Sequence, residues 1–183
     1  MRHKNETSCS LNGWYFFRTG NFFAQWSNFG FSDDILQLAY DQTVDSSGKE
    51  YKTLDFRDID AVYTLRGAGI KVGLVTGEDT PIAKYFKNRF KPDYFYSGCK
   101  EKLAAIEEVI ALSGAAPDEI CYMGDGKLDL PVFRNVECTA APVNAIKEVR
   151  ELAKYKLVRS GGDGCVMELA ELILSLNNAS VKK

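Results

Sequence analysis

Residues 119–129 read Glu-Ile-Cys-Tyr-Met-Gly-Asp-Gly-Lys-Leu-Asp, a short apolar run that ends at a glycine-flanked aspartate. Such a run closed by Gly-Asp-Gly predicts a buried strand followed by a turn. Two earlier runs have the same form: residues 70–75 are followed by Thr-Gly, and residues 94–96 are followed by Ser-Gly. A segment with helical spacing of its apolar residues follows each of these two runs. Strands that alternate with helices predict an α/β fold, a doubly wound parallel sheet of the Rossmann-like type.

The same alternation continues toward the carboxyl terminus. Further strands are predicted at Glu137–Ala140 and Lys156–Val158, with a helix over about residues 143–153 between them. A last helix is predicted from Cys165 to about Leu176. We therefore place one domain at residues 31–176 and a tail at 177–183.

The segment upstream of residue 70 predicts a projecting β-hairpin. Ile35–Tyr40 has strand character, Asp45–Gly48 is rich in turn formers, and Glu50–Phe56 alternates as a returning strand. Asp58 is expected to cap the helix that follows. Residues 1–30 contain many aromatic and few aliphatic side chains, and this divergent N-terminal segment stays unassigned.

The composition and net charge of the chain exclude several kinds of partner and of catalytic site. A net charge of −2 in 183 residues does not suggest a nucleic-acid partner, and no apolar run is long enough to cross a membrane. His3 is the only histidine, which excludes a Ser-His-Asp triad and a histidine-ligated zinc site. The five cysteines are odd in number and scattered, so disulfides are not expected, and Cys121 and Cys165 are predicted core residues. The pattern is typical of a cytoplasmic protein with no membrane partner.

Polar residues follow the predicted strands where ligands bind in open parallel sheets, beyond the carboxyl ends. Thr76, Gly77 and Glu78 follow one strand, and Lys102 follows the next. Each has an ordinary interpretation, because Thr76 caps a helix equally well and Lys102 fits a solvated surface. The Gly-Asp-Gly turn is likewise common by itself.

Their joint placement is what predicts a site. We expect Thr76 and Lys102 to line one cleft with Asp125 and Asp129, which follow the third strand. A hydroxyl, an ammonium and two carboxylates would then converge from separated parts of the chain.

These motifs, in this order, resemble those of the haloacid dehalogenase superfamily. The segments are Val-Thr-Gly-Glu at 75–78, Ser-Gly-Cys-Lys-Glu-Lys-Leu at 97–103 and Tyr-Met-Gly-Asp-Gly-Lys-Leu-Asp-Leu-Pro-Val-Phe at 122–133. The glycine-rich stretch 160–168 and the arm 52–58 are similar to those of 3-deoxy-D-manno-octulosonate 8-phosphate phosphatases and related nonulosonate 9-phosphate phosphatases. The resemblance covers roughly 140 residues.

The resemblance implies a phosphatase without a cap domain, a homotetramer, and Mg²⁺ as cofactor. Thr76 would hold the phosphoryl oxygens, and Lys102 would neutralise their charge. Asp125 would bind Mg²⁺, and Asp129 would belong to the metal site. Gly77 and Glu78 would lie against the substrate, a small sugar-acid phosphate. Hard Mg²⁺ prefers carboxylates and water, and fixed positive charge stabilises phosphoryl transfer.

The first motif of that family, Asp-x-Asp-Gly, is not present. Counting back from the hairpin turn without gaps places it on residues 32–35, so that Ser32 takes the nucleophile position and Asp34 becomes the acid/base and a metal ligand. A second register follows the better strand and makes Asp41 the nucleophile, but it needs a deletion in the hairpin. Spacing favours the first register and strand character favours the second.

These departures leave two functions open. One is a Mg²⁺-dependent phosphatase of an octulosonate 8-phosphate or a nonulosonate 9-phosphate, with Glu78 favouring the latter. The other is a catalytically silent domain that serves assembly in CMP-sialate-type sugar activation. Ser32 in place of an aspartate, and Gly126 in place of a second acidic residue, favour the silent domain.

Overall fold

The computed structural model describes residues 13–15 and 41–181, and everything structural below refers to those residues. Strands β1 to β3 span Gly13–Tyr15, Asp41–Val44 and Glu50–Thr53. From there the elements alternate: α1 Phe56–Gly67, β4 Gly73–Val75, α2 Pro81–Phe90, β5 Tyr94–Tyr96, α3 Lys102–Ser113, β6 Cys121–Met123, α4 Leu130–Phe133, β7 Cys138–Ala141, α5 Lys147–Leu152, β8 Tyr155–Lys156 and α6 Cys165–Val181.

The main sheet has the strand order β5-β4-β1-β6-β7-β8. Strands β4 and β5 pair in parallel, as do β6 with β7 and β7 with β8. Helices connect these parallel strands, so the predicted α/β fold is confirmed. The fully buried side chains with the largest volumes come from strands and helices alike: Tyr122, Phe90, Leu65, Leu74, Ile106, Ile120 and Met123.

One strand departs from the prediction of a wholly parallel sheet. β1 lies between β4 and β6 and pairs antiparallel with both, with Trp14 opposite Leu74 on one side and Met123 on the other. The two neighbours therefore run in the same direction, and only β1 is reversed among the described strands of this sheet. The predicted strand Ile35–Tyr40 lies outside the described residues.

The predicted hairpin is present as a separate two-stranded sheet. β2 pairs antiparallel with β3, from Asp41 opposite Thr53 to Val44 opposite Glu50. The Asp45 carboxylate closes the turn by accepting hydrogen bonds from the backbone N–H groups of Ser47 (2.8 Å) and Lys49 (3.1 Å). The hydroxyl of Ser47, which also donates to this carboxylate at 2.6 Å, and these backbone N–H groups lower the pKa of Asp45 to about 2, because hydrogen bonds to the charged form favour it.

Two helix boundaries differ from their predictions. Asp55, not Asp58, caps α1, because its side chain accepts from the N–H of Arg57 at 2.7 Å. The closing helix α6 runs past Leu176 to Val181, so the segment placed in a tail is largely helical. Helix ends are set by side-chain caps and packing, which propensity locates only within a few residues.

Asp58 has a different function: it joins α1 to α6. Its buried carboxylate accepts hydrogen bonds from the N–H groups of Gly164 (3.3 Å), Val166 (3.0 Å) and Met167 (3.2 Å) at the start of α6. The first N–H groups of a helix have no partner within the helix, and its amino end favours negative charge. Asp58 therefore caps α6 from a neighbouring helix.

The glycine-rich segment between β8 and α6 is held from several sides. Arg57 bridges Asp55 (2.7 Å) and Asp163 (2.9 Å), and Gly161 donates its N–H to Asn144 Oδ1 at 2.9 Å. Gly164 has φ +82°, and a Cβ there would lie 3.0 Å from Arg57 Cζ. A side chain at position 164 would thus be both strained and crowded.

The cysteines at 99, 121, 138 and 165 are buried, and Cys121 and Cys165 are core residues as predicted. In residues 13–15 and 41–181, no helix is long and apolar enough to cross a membrane.

Burial raises the pKa of Asp58 from an ordinary 3.8 to about 6, against the three backbone N–H groups that favour its charged form. Between about pH 4 and pH 6 the folded chain therefore binds more protons than the unfolded chain. The contribution of this carboxyl to stability is present below about pH 4 and is lost as the pH rises through 6. We expect the advantage of wild type over Asp58→Asn, in the free energy of unfolding by urea, to be about 2 kcal/mol larger at about pH 4.5 than at about pH 7.

Asp60→Asn is the matched control, since Asp60 lies in the same helix and is exposed. It should show no such dependence. If the difference in the free energy of unfolding between wild type and Asp58→Asn is the same at both pH values, the raised pKa of Asp58 is contradicted.

Candidate active site

The carboxyl ends of β4, β5 and β6 bring the predicted polar residues to one edge of the sheet. Thr76 directly follows β4, Lys102 begins α3 after β5, and Asp125 lies two residues after β6. Thr76, Lys102 and Asp129 are buried polar side chains, 5%, 3% and 1% exposed. Buried polar groups need partners, and the contacts of these three residues define the site.

Thr76 is held by backbone hydrogen bonds to the segment after β5. Its N–H donates to the carbonyl of Tyr96 (2.7 Å), and its carbonyl accepts from Cys99 (3.1 Å). Its hydroxyl oxygen accepts from the N–H of Glu78 at 3.2 Å, across a turn that contains the buried Gly77. The β4 turn and the loop before Lys102 are therefore directly connected.

Lys102 points into the protein and forms an ion pair with Asp129. Its Nζ lies 2.5 Å from Asp129 Oδ1, and the two side chains are 2% and 1% exposed. The same Oδ1 accepts a hydrogen bond from the hydroxyl of Tyr122, in the middle of β6. Breaking a buried pair leaves an uncompensated charge, which costs about 3–5 kcal/mol. The pair therefore fixes the lysine at the start of α3.

The second oxygen of Asp129 organises the Gly-Asp-Gly turn. Oδ2 accepts from the backbone N–H groups of Asp125 (3.1 Å) and Gly126 (2.8 Å). A carboxylate has about four acceptor positions, so the four donors around Asp129 fill it. Asp129 therefore supports the site and, in this arrangement, has no position left for a metal ion.

Asp125 is the carboxylate of this turn that fits a metal ligand. It is half-buried, and its carbonyl accepts from the N–H of Ile146 at 2.9 Å, which anchors the turn to the segment after β7. In the described part of the chain, histidine, cysteine and acidic side chains form no group of three that would hold a metal ion.

Gly124 is required by the close approach of Asp129 to the turn. A Cβ at position 124 would lie 2.7 Å from both Cβ and Cγ of Asp129, and 2.8 Å from Phe133 Cε2. At Gly126, among the described residues, the one atom within 4 Å of a Cβ would be Asp129 Oδ2, at 3.6 Å, and the φ of −118° suits any residue. The lack of a second acidic residue at 126 is therefore not a backbone requirement.

The remaining predicted residues are placed as follows. Glu78 is half-buried, and its Oε2 accepts from the hydroxyl of Thr80 at 3.4 Å, next to the start of α2. Asp41 lies in the hairpin strand β2 and not in the main sheet. Ser32 and Asp34 lie outside the described residues, so the first register stays a prediction.

Sequence reasoning missed Tyr122 and the cross-helix contacts of Asp58. A tyrosine inside an apolar strand was the available signal, because a buried phenol hydroxyl needs a partner.

Gly124→Ala should displace Asp129 and weaken its contacts with Lys102 and the turn. Overpacking of this kind costs about 1–3 kcal/mol, so we expect that loss in the free energy of unfolding measured with urea. Gly126→Ala is the matched control two residues away and should cost less than about 1 kcal/mol. Equal effects of the two substitutions would show that the close approach at Gly124 is not a constraint.

Comparison with known proteins places the chain in a family. No family model matches it. It is 30% identical over 129 residues to the 3-deoxy-D-manno-octulosonate 8-phosphate phosphatase KdsC of Yersinia pestis, which covers 70% of this chain and 69% of the relative. The crystal structure of that phosphatase from Yersinia pestis superimposes with a TM-score of 0.69 at 28% identity, over 75% of this chain and 74% of the other.

The cobalt-bound form of the corresponding phosphatase from Haemophilus influenzae gives a TM-score of 0.68 at 27% identity, over 73% of this chain and 78% of the other. Sequence and fold therefore agree with the motif order at the carboxyl edge of the sheet. The chain belongs to the KdsC family of 3-deoxy-D-manno-octulosonate 8-phosphate phosphatases, within the haloacid dehalogenase superfamily.

Proposed function

We propose that the chain is a Mg²⁺-dependent phosphatase that hydrolyses the phosphate monoester of a keto-sugar acid, an octulosonate 8-phosphate or a nonulosonate 9-phosphate. The observation that carries the proposal is the buried Lys102–Asp129 pair in contact with the Asp125 turn, at the edge of the sheet where Thr76 also follows its strand. It supplies a fixed cation, a carboxylate and a hydroxyl at one edge of the sheet. The named activity of the Yersinia pestis relative supports this chemistry.

Each described residue has a definite part in this proposal. Lys102 stabilises the charge on the transferring phosphoryl group, and it does so without reorganising because Asp129 already fixes it. Thr76 and the backbone of Gly77 orient the phosphoryl oxygens. In phosphoryl transfer most of the catalysis is positioning and charge stabilisation, so such a rigid arrangement is what the reaction requires.

The residues present fit a hard divalent cation. Asp125 offers a carboxylate next to a turn, and Mg²⁺ is commonly bound by one or two carboxylates with water. Asp34 is the second ligand and the acid/base in the register that spacing favours, with Asp41 as the alternative nucleophile. The cation supplies charge neutralisation at the phosphate. The existence of a cobalt-bound form of the Haemophilus influenzae relative supports a divalent-metal site in the family.

Phosphate release tests the proposal directly. With Mg²⁺ and a panel of sugar phosphates that includes both candidate substrates, we expect the wild-type chain to release phosphate. Asp125→Asn should lower kcat on the order of 100-fold, because the metal ligand is weakened. Asp118→Asn, at an exposed position, is the control and should keep full activity. No release from any sugar phosphate would overturn the proposal.

A second candidate is a catalytically silent domain with a role in assembly. The specific observation in its favour is Gly126, since a Cβ at this position would lie no closer than 3.6 Å to Asp129 Oδ2 and the chain nevertheless carries no acidic side chain there. Ser32 in the nucleophile position points the same way, because a serine adds no negative charge to a metal site. A folded chain that releases no phosphate from any sugar phosphate would establish this candidate over the first.

Both candidates include assembly into a homotetramer through the hairpin β2–β3. A two-stranded hairpin alone is only marginally stable in water, so partners on neighbouring subunits would stabilise it. Tyr51, 45% exposed on β3, offers apolar surface for such a contact. Light scattering at micromolar concentration should give the mass of a tetramer, and a clean monomer would contradict this part of the proposal.

Glu78 determines the substrate preference that we propose. A glutamate repels a sugar carboxylate and accepts hydrogen bonds from hydroxyls or an amide, whereas an arginine pairs with a carboxylate through two parallel hydrogen bonds. We expect a higher kcat/KM for a nonulosonate 9-phosphate than for an octulosonate 8-phosphate, and Glu78→Arg should narrow the ratio. Glu78→Gln, which removes the charge alone, is the control for size. An equal or reversed ratio of kcat/KM in the wild type would contradict the proposed preference for a nonulosonate 9-phosphate.

A further inference from the structure

Tyr122 makes a contact with Asp129 that the sequence motifs did not predict. It lies in the middle of β6, its side chain is fully buried, and its ring packs edge-on against Phe133 with centroids 5.7 Å apart at 84°. The strand pairs with β7 through Tyr122 opposite Thr139. The ring is thus held by the sheet on one side and by α4 on the other, which makes the hydroxyl a rigid donor.

That hydroxyl donates to the same oxygen of Asp129 that pairs with Lys102. The other oxygen holds the N–H groups of Asp125 and Gly126. A carboxylate attached to a short 3-10 turn, Lys127–Asp129, is otherwise able to rotate about its side-chain bonds. The Tyr122 hydroxyl donates to one lone pair of Asp129 Oδ1 and so fixes the orientation of the carboxylate. The other lone pair of Oδ1 then points toward the ammonium of Lys102.

We propose that Tyr122 is a positioning residue for both the phosphate-binding lysine and the metal-binding turn, acting through Asp129. The inference rests on the proposed function for the roles of Lys102 and Asp125, but the positioning itself is a property of the folded chain. Tyr122 touches neither substrate nor metal. It transmits the geometry of the sheet to two groups that come from different loops.

Tyr122→Phe tests this, because it keeps the packed ring and removes only the hydroxyl. In a ¹H–¹⁵N spectrum of the chain without ligand, the backbone N–H signals of Asp125 and Gly126 should shift. Binding of inorganic phosphate in the presence of Mg²⁺, measured by calorimetry, should weaken roughly 3- to 10-fold, the range that one lost hydrogen bond produces. Tyr94→Phe, at the amino end of β5, is the control and should change neither.

The two readouts separate the outcomes. Unchanged Asp125 and Gly126 signals in Tyr122→Phe overturn the positioning role, whatever the activity of the chain. If the wild type binds no phosphate, the proposed function fails, while the shifts of the two signals still decide the role of Tyr122. Tyr122→Phe keeps the packed ring and three of the four donors to Asp129, so the chain is expected to fold. If it does not fold, the hydroxyl has a purely structural role, and the inference is overturned.

Discussion

The carboxylate of Asp129 is the contact on which the rest of the site depends. It accepts from Lys102 and Tyr122 on one oxygen and from the N–H groups of Asp125 and Gly126 on the other. These donors come from α3, β6 and the turn after β6. Removing an acceptor that is 1% exposed would leave a buried ammonium and buried N–H groups without this partner, and each such group costs about 1–3 kcal/mol or more. The three elements therefore hold one arrangement together or lose it together.

The two aspartates of this turn differ in their surroundings. Asp129 is buried and accepts four hydrogen bonds, so it serves as a fixed anion inside the protein. Asp125 is half-buried. Burial thus distinguishes these two carboxylates, although both follow the same strand and lie four residues apart. A phosphatase site needs both kinds, because the phosphate must meet charge that is already positioned.

A second buried carboxylate, Asp58 in α1, is likewise surrounded by several hydrogen-bond donors. It satisfies the amino end of α6 with three backbone hydrogen bonds, whereas Asp129 combines two such bonds with an ammonium and a phenol. The pKa of Asp58 is raised because desolvation outweighs its hydrogen bonds. Its position ties the glycine-rich segment to α1, and Asn144 and Arg57 complete the attachment. The last part of the chain is therefore joined to the first described helix by polar contacts as well as by packing.

The sequence by itself determined the alternation of strands and helices from residue 70 onward. Short apolar runs that are followed by Thr-Gly, Ser-Gly or Gly-Asp-Gly predict buried strands that end in turns, and helical segments lie between them. It also indicated that Thr76, Lys102, Asp125 and Asp129 follow strands at one edge of the sheet, because the carboxyl ends of parallel strands share one edge. The structure shows Lys102 and the turn at Asp125 in contact with Asp129. Local signals could not determine the cap of α1 or the reversed strand β1, whose three residues carry no strand pattern of their own. Only the tertiary structure decided that Asp129 is the buried carboxylate that holds Lys102 and the turn, and that Tyr122 and Asp58 make contacts between distant elements. Those contacts depend on which donors surround a buried oxygen, and the donors lie 3 to 109 residues away in the chain, so folding is needed to bring the distant ones there.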